Sequence, residues 1–340
     1  MKEWRVEKAV KNMKRKIIVF TLCAMLFALC GSASAQQPAK IPRIGYLLPA
    51  DERNTPGLRI EALHQGLRDL GYIEGKNVLI EYRYAEGKPD RRVSLLNELL
   101  KLNVDVLVLV SIDSIRAAKQ AAKTPVVMIA TVDPVALGLV DSFAHPGGNV
   151  TGLTQLMRDL SGKRLELLKE TLPGISRVGV LWDAANEGAT ISFKEYEATA
   201  PSLKIQLQSL EVRGPKPDLE GVFQAAAKGR ANGLVVISSG MLNGYRKQIL
   251  DLVIKNRLPS MHEESFSVDA GGLMSYSADD REIYRRAGVF VGKILRGAKP
   301  ADLPVEQPKK FEFVINLKTA KQIGLTIPPN VLARADKVIK

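Results

Sequence analysis

The chain has 340 residues, 46% of them hydrophobic, with a net charge of +13 and two cysteines. Two cysteines leave no disulfide framework to staple the fold, so core burial has to hold the chain together. No Lys/Arg run is interleaved with aromatic residues, so no nucleic-acid groove is expected.

The first 35 residues read as a cleavable signal peptide. Lys14, Arg15 and Lys16 precede an apolar run over 17–30, and Ala33, Ser34 and Ala35 supply small residues for cleavage before Gln36. The run is 14 residues long, short of the roughly 20 that a membrane-spanning helix needs. The charged stretch before Met13 lacks apolar periodicity, which makes Met13 an alternative start. Lipid anchoring at Cys30 is not expected, because Leu29 stands where a lipoprotein peptidase needs a small residue. Both cysteines, Cys23 and Cys30, lie in this leader, so the remainder is expected to have no disulfide and no thiolate metal site. Seven Lys/Arg and two Glu also lie there, so five of the thirteen net positive charges leave with it. The remaining length exceeds what one core ordinarily serves, and two domains are expected.

From residue 43 onward, strand-like runs alternate with amphipathic stretches. A strand over 43–48 precedes Thr55 and Pro56, which can cap and start a helix. Leu63, Leu67 and Leu70 share one face of that helix, and Gly71 ends it. A strand over 78–84 and a helix over 90–102 follow. Residues 104–110 are Val and Leu apart from Asp105, which suits a strand buried on both faces. A helix over 113–122 and strands over 125–130 and 149–154 complete the first series. The second series has helices over 160–172, 189–200, 219–230, 243–255 and 280–296. Its strands are read over 177–182, 205–212, 233–237, 272–276 and 311–315. Alternation of this kind implies α/β lobes, each a doubly wound parallel sheet covered by helices.

In such sheets ligands sit beyond the carboxyl ends of the strands. Those positions hold hydroxyls, carboxylates and one aromatic, the groups that orient a small polar ligand. Ser111, Ser114, Thr131, Trp182, Asn186, Ser238 and Glu264 are the candidate ligand contacts. Other readings stand beside these. Ser111, Asp113 and Ser114 also suit helix caps, Asp133 before Pro134 suits a turn, and Ser238 and Ser239 suit a cap or loop lining. Trp182 suits lobe core, although its place at the end of a strand favours the cleft.

The motifs of common chemistry are missing. The run Gly71-Tyr72-Ile73-Glu74-Gly75-Lys76 has three residues between its glycines where a phosphate loop has four, and Asn77 replaces the Ser or Thr. No strand is followed by G-x-G-x-x-G, and no G-x-S-x-G elbow exists. The histidines are His64, His145 and His262, and only His262 falls at a strand end. Adjacent Glu263 and Glu264 point opposite ways in extended backbone and cannot work as an acid–base couple. Catalysis, a cofactor and a metal are therefore not expected.

Several stretches resemble a known family. They are residues 66–77 with Ile80-Glu81-Tyr82-Arg83 and Ala85-Glu86-Gly87, then Asp133-Pro134-Val135 with Gly138-Leu139-Val140 and residues 145–152. Residues 271–276, Tyr284-Arg285-Arg286-Ala287, residues 293–300 and residues 311–329 complete the set. Together they are similar to the solute-binding proteins of ABC importers, in the group related to tryptophan/tyrosine-type receptors. The resemblance implies a periplasmic-binding-protein type I-like fold with three hinge crossings, whose lobes close on ligand. On that basis residues 42–155 plus 272–300 would form lobe 1, and 156–271 plus 301–340 lobe 2. It also implies a periplasmic monomer that takes a small polar or aromatic solute to an ABC permease with its cytoplasmic ATPase, docking peripherally at the membrane. An exported sensory protein for a receptor kinase, or a periplasmic α/β enzyme, are the alternatives. Two positions depart from the family. The step after the third strand is Ser111-Ile112, without glycine, and His262-Glu263-Glu264-Ser265 precedes the Gly-Gly-Leu strand. A cleft carboxylate there would favour a ligand with an ammonium or several hydroxyls.

Overall fold

The structure is a computed structural model, and it describes Met13 and residues 40–48, 57–86, 88–121, 123–156 and 160–340. The chain divides into two units, Met1–Ile41 and Pro42–Lys340. Apart from Met13, the proposed leader lies outside the described residues, as do its cleavage site, Cys30, the Thr55-Pro56 cap and the residues just after the first strand.

In the second unit, five strands form an all-parallel sheet in the order β2-β1-β3-β4-β5. They are β1 (Arg43–Leu48), β2 (Leu79–Tyr84), β3 (Val106–Leu109), β4 (Val126–Ala130) and β5 (Val150–Thr154). Helices α1 (Leu58–Arg68), α2 (Pro89–Lys101) and α3 (Ile112–Ala121) connect them. Every residue of β3 and β4 is buried. The two faces of this sheet feed separate clusters, one with Ile44, Val108 and Phe290 and one with Leu107, Met128 and Ile115. This is why β3 and β4 read as continuous apolar runs rather than alternating ones.

Seven strands form the other sheet, in the order β12-β11-β10-β9-β8-β6-β7. They are β6 (Arg177–Asp183), β7 (Gln206–Val212), β8 (Gly233–Val236), β9 (Ser260–His262), β10 (Met274–Ala278), β11 (Phe311–Asn316) and β12 (Lys337–Ile339). Its helices are α4 (Ser161–Thr171), α5 (Glu187–Thr199), α6 (Leu219–Lys228), α7 (Gly240–Gly244), α8 (Arg246–Lys255) and α9 (Ser265–Asp269). The helix expected over 243–255 is two helices that meet at Tyr245. The last three helices are α10 (Asp280–Leu295), α11 (Leu317–Ile323) and α12 (Pro329–Leu332). The sheet is mixed, because β10 and β11 run antiparallel.

Two expected lobe boundaries are corrected by this topology. The strand expected to return to the first lobe, β10, pairs instead with β9 and β11 in the second sheet. The chain returns one element later, through α10, whose Ile283, Ala287, Phe290 and Val291 pack in the first sheet's core. Strand β10 offers buried Met274 to the second core, while α10 has an apolar face fitted to α1. The fit is close: a Cβ on Gly66 would sit 1.9 Å from the Arg285 carbonyl oxygen, and one on Gly288 2.2 Å from that of Leu63. The second correction concerns residues 301–306, expected in the second lobe. Val305 packs in a first-sheet cluster, and Glu306 exchanges backbone bonds with Gly152 and Thr154. The final crossing therefore falls between Glu306 and Phe311. The chain passes between the sheets three times, after β5, after β10 and before β11.

Candidate functional site

A cavity of about 230 Å³ opens where the carboxyl ends of the two sheets meet. From the first sheet it is lined by Val110 to Asp113 after β3, Thr131 after β4 and Gln155 after β5, joined by Arg59 of α1, Arg92 of α2 and Tyr284 of α10. From the second come Ala185 to Gly188 after β6, Ser238 to Gly240 after β8, Asn243, and Glu264 after β9.

Local sequence explains how these segments turn. Asn186 caps α5, its Oδ1 accepting from the Ala189 N–H at 2.8 Å, and Ser239 caps α7 by accepting from the Leu242 N–H at 3.1 Å. At α3, Asp113 Oδ1 accepts from the Ser114 N–H at 2.8 Å and its Oδ2 from Arg92 Nη1 at 2.9 Å. The starts of α3 and α5 come together across the cavity. Arg116 donates from both terminal nitrogens to the two Glu187 oxygens at 3.0 and 3.1 Å. Gly188 allows the approach: a Cβ there would lie 3.3 Å from Thr131 Oγ1 and 3.5 Å from Ile112 Cδ1.

A second bridge is better shielded. Arg59 reaches Glu264 at 2.6 Å and Asp280 at 2.9 Å. Its guanidinium lies over the rings of Phe266, 4.5 Å away, and Tyr284, 5.2 Å away. Ser238 Oγ donates to Glu264 Oε2 at 2.6 Å and Asn243 Nδ2 does so at 3.1 Å. Gln155 donates to the other oxygen of Asp280 at 2.8 Å. Burial raises the Asp280 pKa, Arg59 opposes that rise, and nearby Glu264 adds to it.

Glu263 faces the other way, as alternation along extended backbone requires. It is buried in the second lobe with Arg164, which is 0% exposed and 3.1 Å away. Tyr196 donates to Glu263 at 3.2 Å and the Ser238 N–H at 2.9 Å, while Arg164 Nε donates to the Tyr276 carbonyl at 2.8 Å. Burial pushes the Glu263 carboxyl up from its ordinary value, and Arg164 and the Ser238 N–H pull it back. Through the Ser238 N–H, this buried set holds the loop that presents Ser238 Oγ to Glu264.

The structure brings Ser111, Thr131, Asn186, Ser238 and Glu264 together around the cavity. Two candidates lie elsewhere. Ser114 is fully buried in α3 and accepts from Ser111 Oγ at 2.7 Å, tying the helix start to the strand end. Trp182 is a correction: it packs in the second lobe's core, 8% exposed. It stacks on Phe193 at 4.6 Å, and its indole N–H donates to Ser209 Oγ at 2.9 Å. Its side chain follows strand alternation into the sheet's face, and the cleft begins three residues later at Ala185. Arg59, Arg92, Gln155, Asn243 and Tyr284 were missed. Arg59, Arg92, Asn243 and Tyr284 sit within helices, where inspection limited to strand ends does not look; Gln155 directly follows β5 and was open to that rule.

No described helix is long and apolar enough to cross a membrane. Among the described residues, no group of three or more His, Cys, Asp or Glu could hold a metal ion.

Residues 56–339 match the family model described as ABC transporter substrate binding protein. A tyrosine-binding protein of Clostridioides difficile (strain R20291) is 26% identical over 274 residues, which span 77% of this chain and 75% of that protein. A conserved domain protein from Vibrio cholerae O1 biovar El Tor superposes with a TM-score of 0.80 at 28% identity, covering 88% of this chain and 100% of that one. The ABC domain in complex with L-Trp from Streptococcus pneumoniae gives a TM-score of 0.78 at 25% identity, covering 88% and 99%.

Proposed function

The chain belongs to the family of ABC transporter substrate binding proteins, and from that premise we propose that it captures an amino-acid-like solute in the cavity and passes it to a membrane permease driven by a cytoplasmic ATPase. The observation that carries this reading is the cavity itself. Facing strand ends surround it with hydroxyls, side-chain amides, helix N-termini and charged groups, and two ion pairs bridge it. A zwitterion offers groups of both signs to such a lining. The tyrosine named for one relative and the L-Trp bound to another support the same class. The apolar part of the wall comprises Val110, Ile112, Ala185 and the Tyr284 ring, which gives a side chain somewhere to pack. The three passages of chain between the sheets serve as the hinge on which the lobes close. The leader read from the sequence supports work outside the cytoplasm, in a periplasm. The protein acts by binding and release and does no chemistry.

A thermal-shift panel of the twenty L-amino acids, with sugars and nucleosides beside them, tests the class. A ligand at one hundred times its Kd stabilises the folded chain by about 2.7 kcal/mol. At roughly 2 °C per kcal/mol for a chain of this size, the midpoint rises by about 5 °C. The expected result is a rise with one or a few amino acids. A rise confined to sugars or nucleosides contradicts the reading.

A further inference from the structure

Among the described residues, every carboxylate that lines the cavity already has protein donors. Glu187 is held at both oxygens by Arg116. Glu264 accepts from Arg59, Ser238 and Asn243. Asp113 accepts from the Ser114 N–H and Arg92 Nη1. Of the two lining cations, Arg59 is paired with Glu264 and Asp280, and Arg92 is not matched in the same way. Arg92 lines the cavity and is 5% exposed, and among the described residues its one acceptor is Asp113, at Nη1. Its Nε is buried and has no hydrogen-bond partner among the described residues. A buried guanidinium N–H without an acceptor is costly, and the Nε–Nη2 edge is the fork that matches the two oxygens of a carboxylate. The start of α3 lies in the same wall, where Asp113 both holds Arg92 and opens the helix. The first-turn amides at Ile112 and Asp113 have no intrahelical acceptors. Thr131 brings a hydroxyl to the same side of the cavity.

We propose that Arg92 reads a carboxylate of the ligand through its Nε–Nη2 edge, with the opening amides of α3 as further donors, and so sets the protein's preference for acids over their neutral derivatives. Glu264 then has a different part from that of receiving a ligand ammonium: with Arg59 it joins the lobes. The proposal deepens the amino-acid reading and rests on it for the size of the ligand, but the preference for a carboxylate stands on Arg92 alone.

The test uses the wild-type chain with Arg92→Leu and Arg92→Lys. Each amino acid that stabilises the wild type is compared by calorimetry with its carboxamide and its methyl ester. Acetate, succinate and phosphate are further probes, and the Arg92 Nε–H proton resonance, identified by its loss in Arg92→Lys, reports contact directly. The acid is expected to bind the wild type about tenfold or more tighter than the amide or ester. Arg92→Leu should bind acid and amide alike, and the Nε–H resonance should move with the acid only. Equal affinity of the acid for wild type and a folded Arg92→Leu overturns the assignment and leaves the amino-acid reading standing. Binding of acetate or succinate that needs Arg92, with no amino acid bound, does the reverse. A resonance that no carboxylate moves at millimolar concentration, or that phosphate alone moves, overturns the carboxylate assignment even if Arg92→Leu does not fold.

Discussion

The two walls of the cavity are built on different principles. The first-sheet wall, on an all-parallel sheet, sets the α3 start, Ser111 and Thr131 beside the longer side chains of Arg92, Gln155 and Tyr284, and Arg92 keeps an N–H free of any acceptor among the described residues. The second-sheet wall is braced by charge. Behind Ser238 and Glu264 lies the buried set of Arg164, Glu263 and Tyr196, and in front of them Arg59 closes over Glu264. One wall keeps donors in reserve and the other has spent its charges on holding itself in shape. A binding protein needs both, since a ligand must find unmatched groups in positions that do not relax when it arrives.

Removing the brace should have the largest effect. Arg164→Met leaves Glu263 buried without its cation and should destabilise the chain by about 3–5 kcal/mol in urea unfolding. A loss below about 1 kcal/mol would mean that the second wall does not depend on this pair. The next effect separates a buried neutral group from the charged ones. Burial, with Arg246 adding, lowers the His262 pKa to about 4. Its ordinary value near 6.5 applies when unfolded, so the folded chain favours the neutral ring. That stability is whole above pH 6.5 and is lost as pH falls through 4, up to about 3 kcal/mol. His262→Asn should flatten the difference in unfolding free energy between pH 6.5 and 4. An unchanged slope would show that His262 titrates normally. The smallest effect belongs to the exposed bridge. Arg116→Ala breaks a pair whose side chains are 40% and 46% exposed, and unfolding free energy should change by less than about 1 kcal/mol. A larger loss would make that bridge a principal tie between the walls, in place of Arg59.

The contrast between walls also explains what could be read from the sequence. Strand-end residues such as Thr131 and Asn186 line the cavity because sheet topology forces the carboxyl ends together, which is legible in the strand pattern. Strands β3 and β4 were legible from unbroken apolar runs, and α10 from its long amphipathic pattern. Membership of β10 was not, because Met274 to Ala278 suits either sheet and the choice lies in long-range pairing with β11. Arg92 and Arg59 stayed hidden for a related reason. A charged residue on an amphipathic helix reads as solvated, and only the fold turns these two toward the cavity. Trp182 stands at a strand end, but side-chain alternation turns its ring into the core against Phe193.

The most direct test of the account is whether the solute occupies the space between the walls. Thr131→Tyr places a ring in the cavity while altering a half-buried position outside both cores. Its Kd, measured by calorimetry for the L-amino acid that most stabilises the wild type, should weaken at least tenfold with the ligand-free unfolding midpoint unchanged. An unchanged Kd in a variant of unchanged midpoint would place the solute elsewhere and contradict the account.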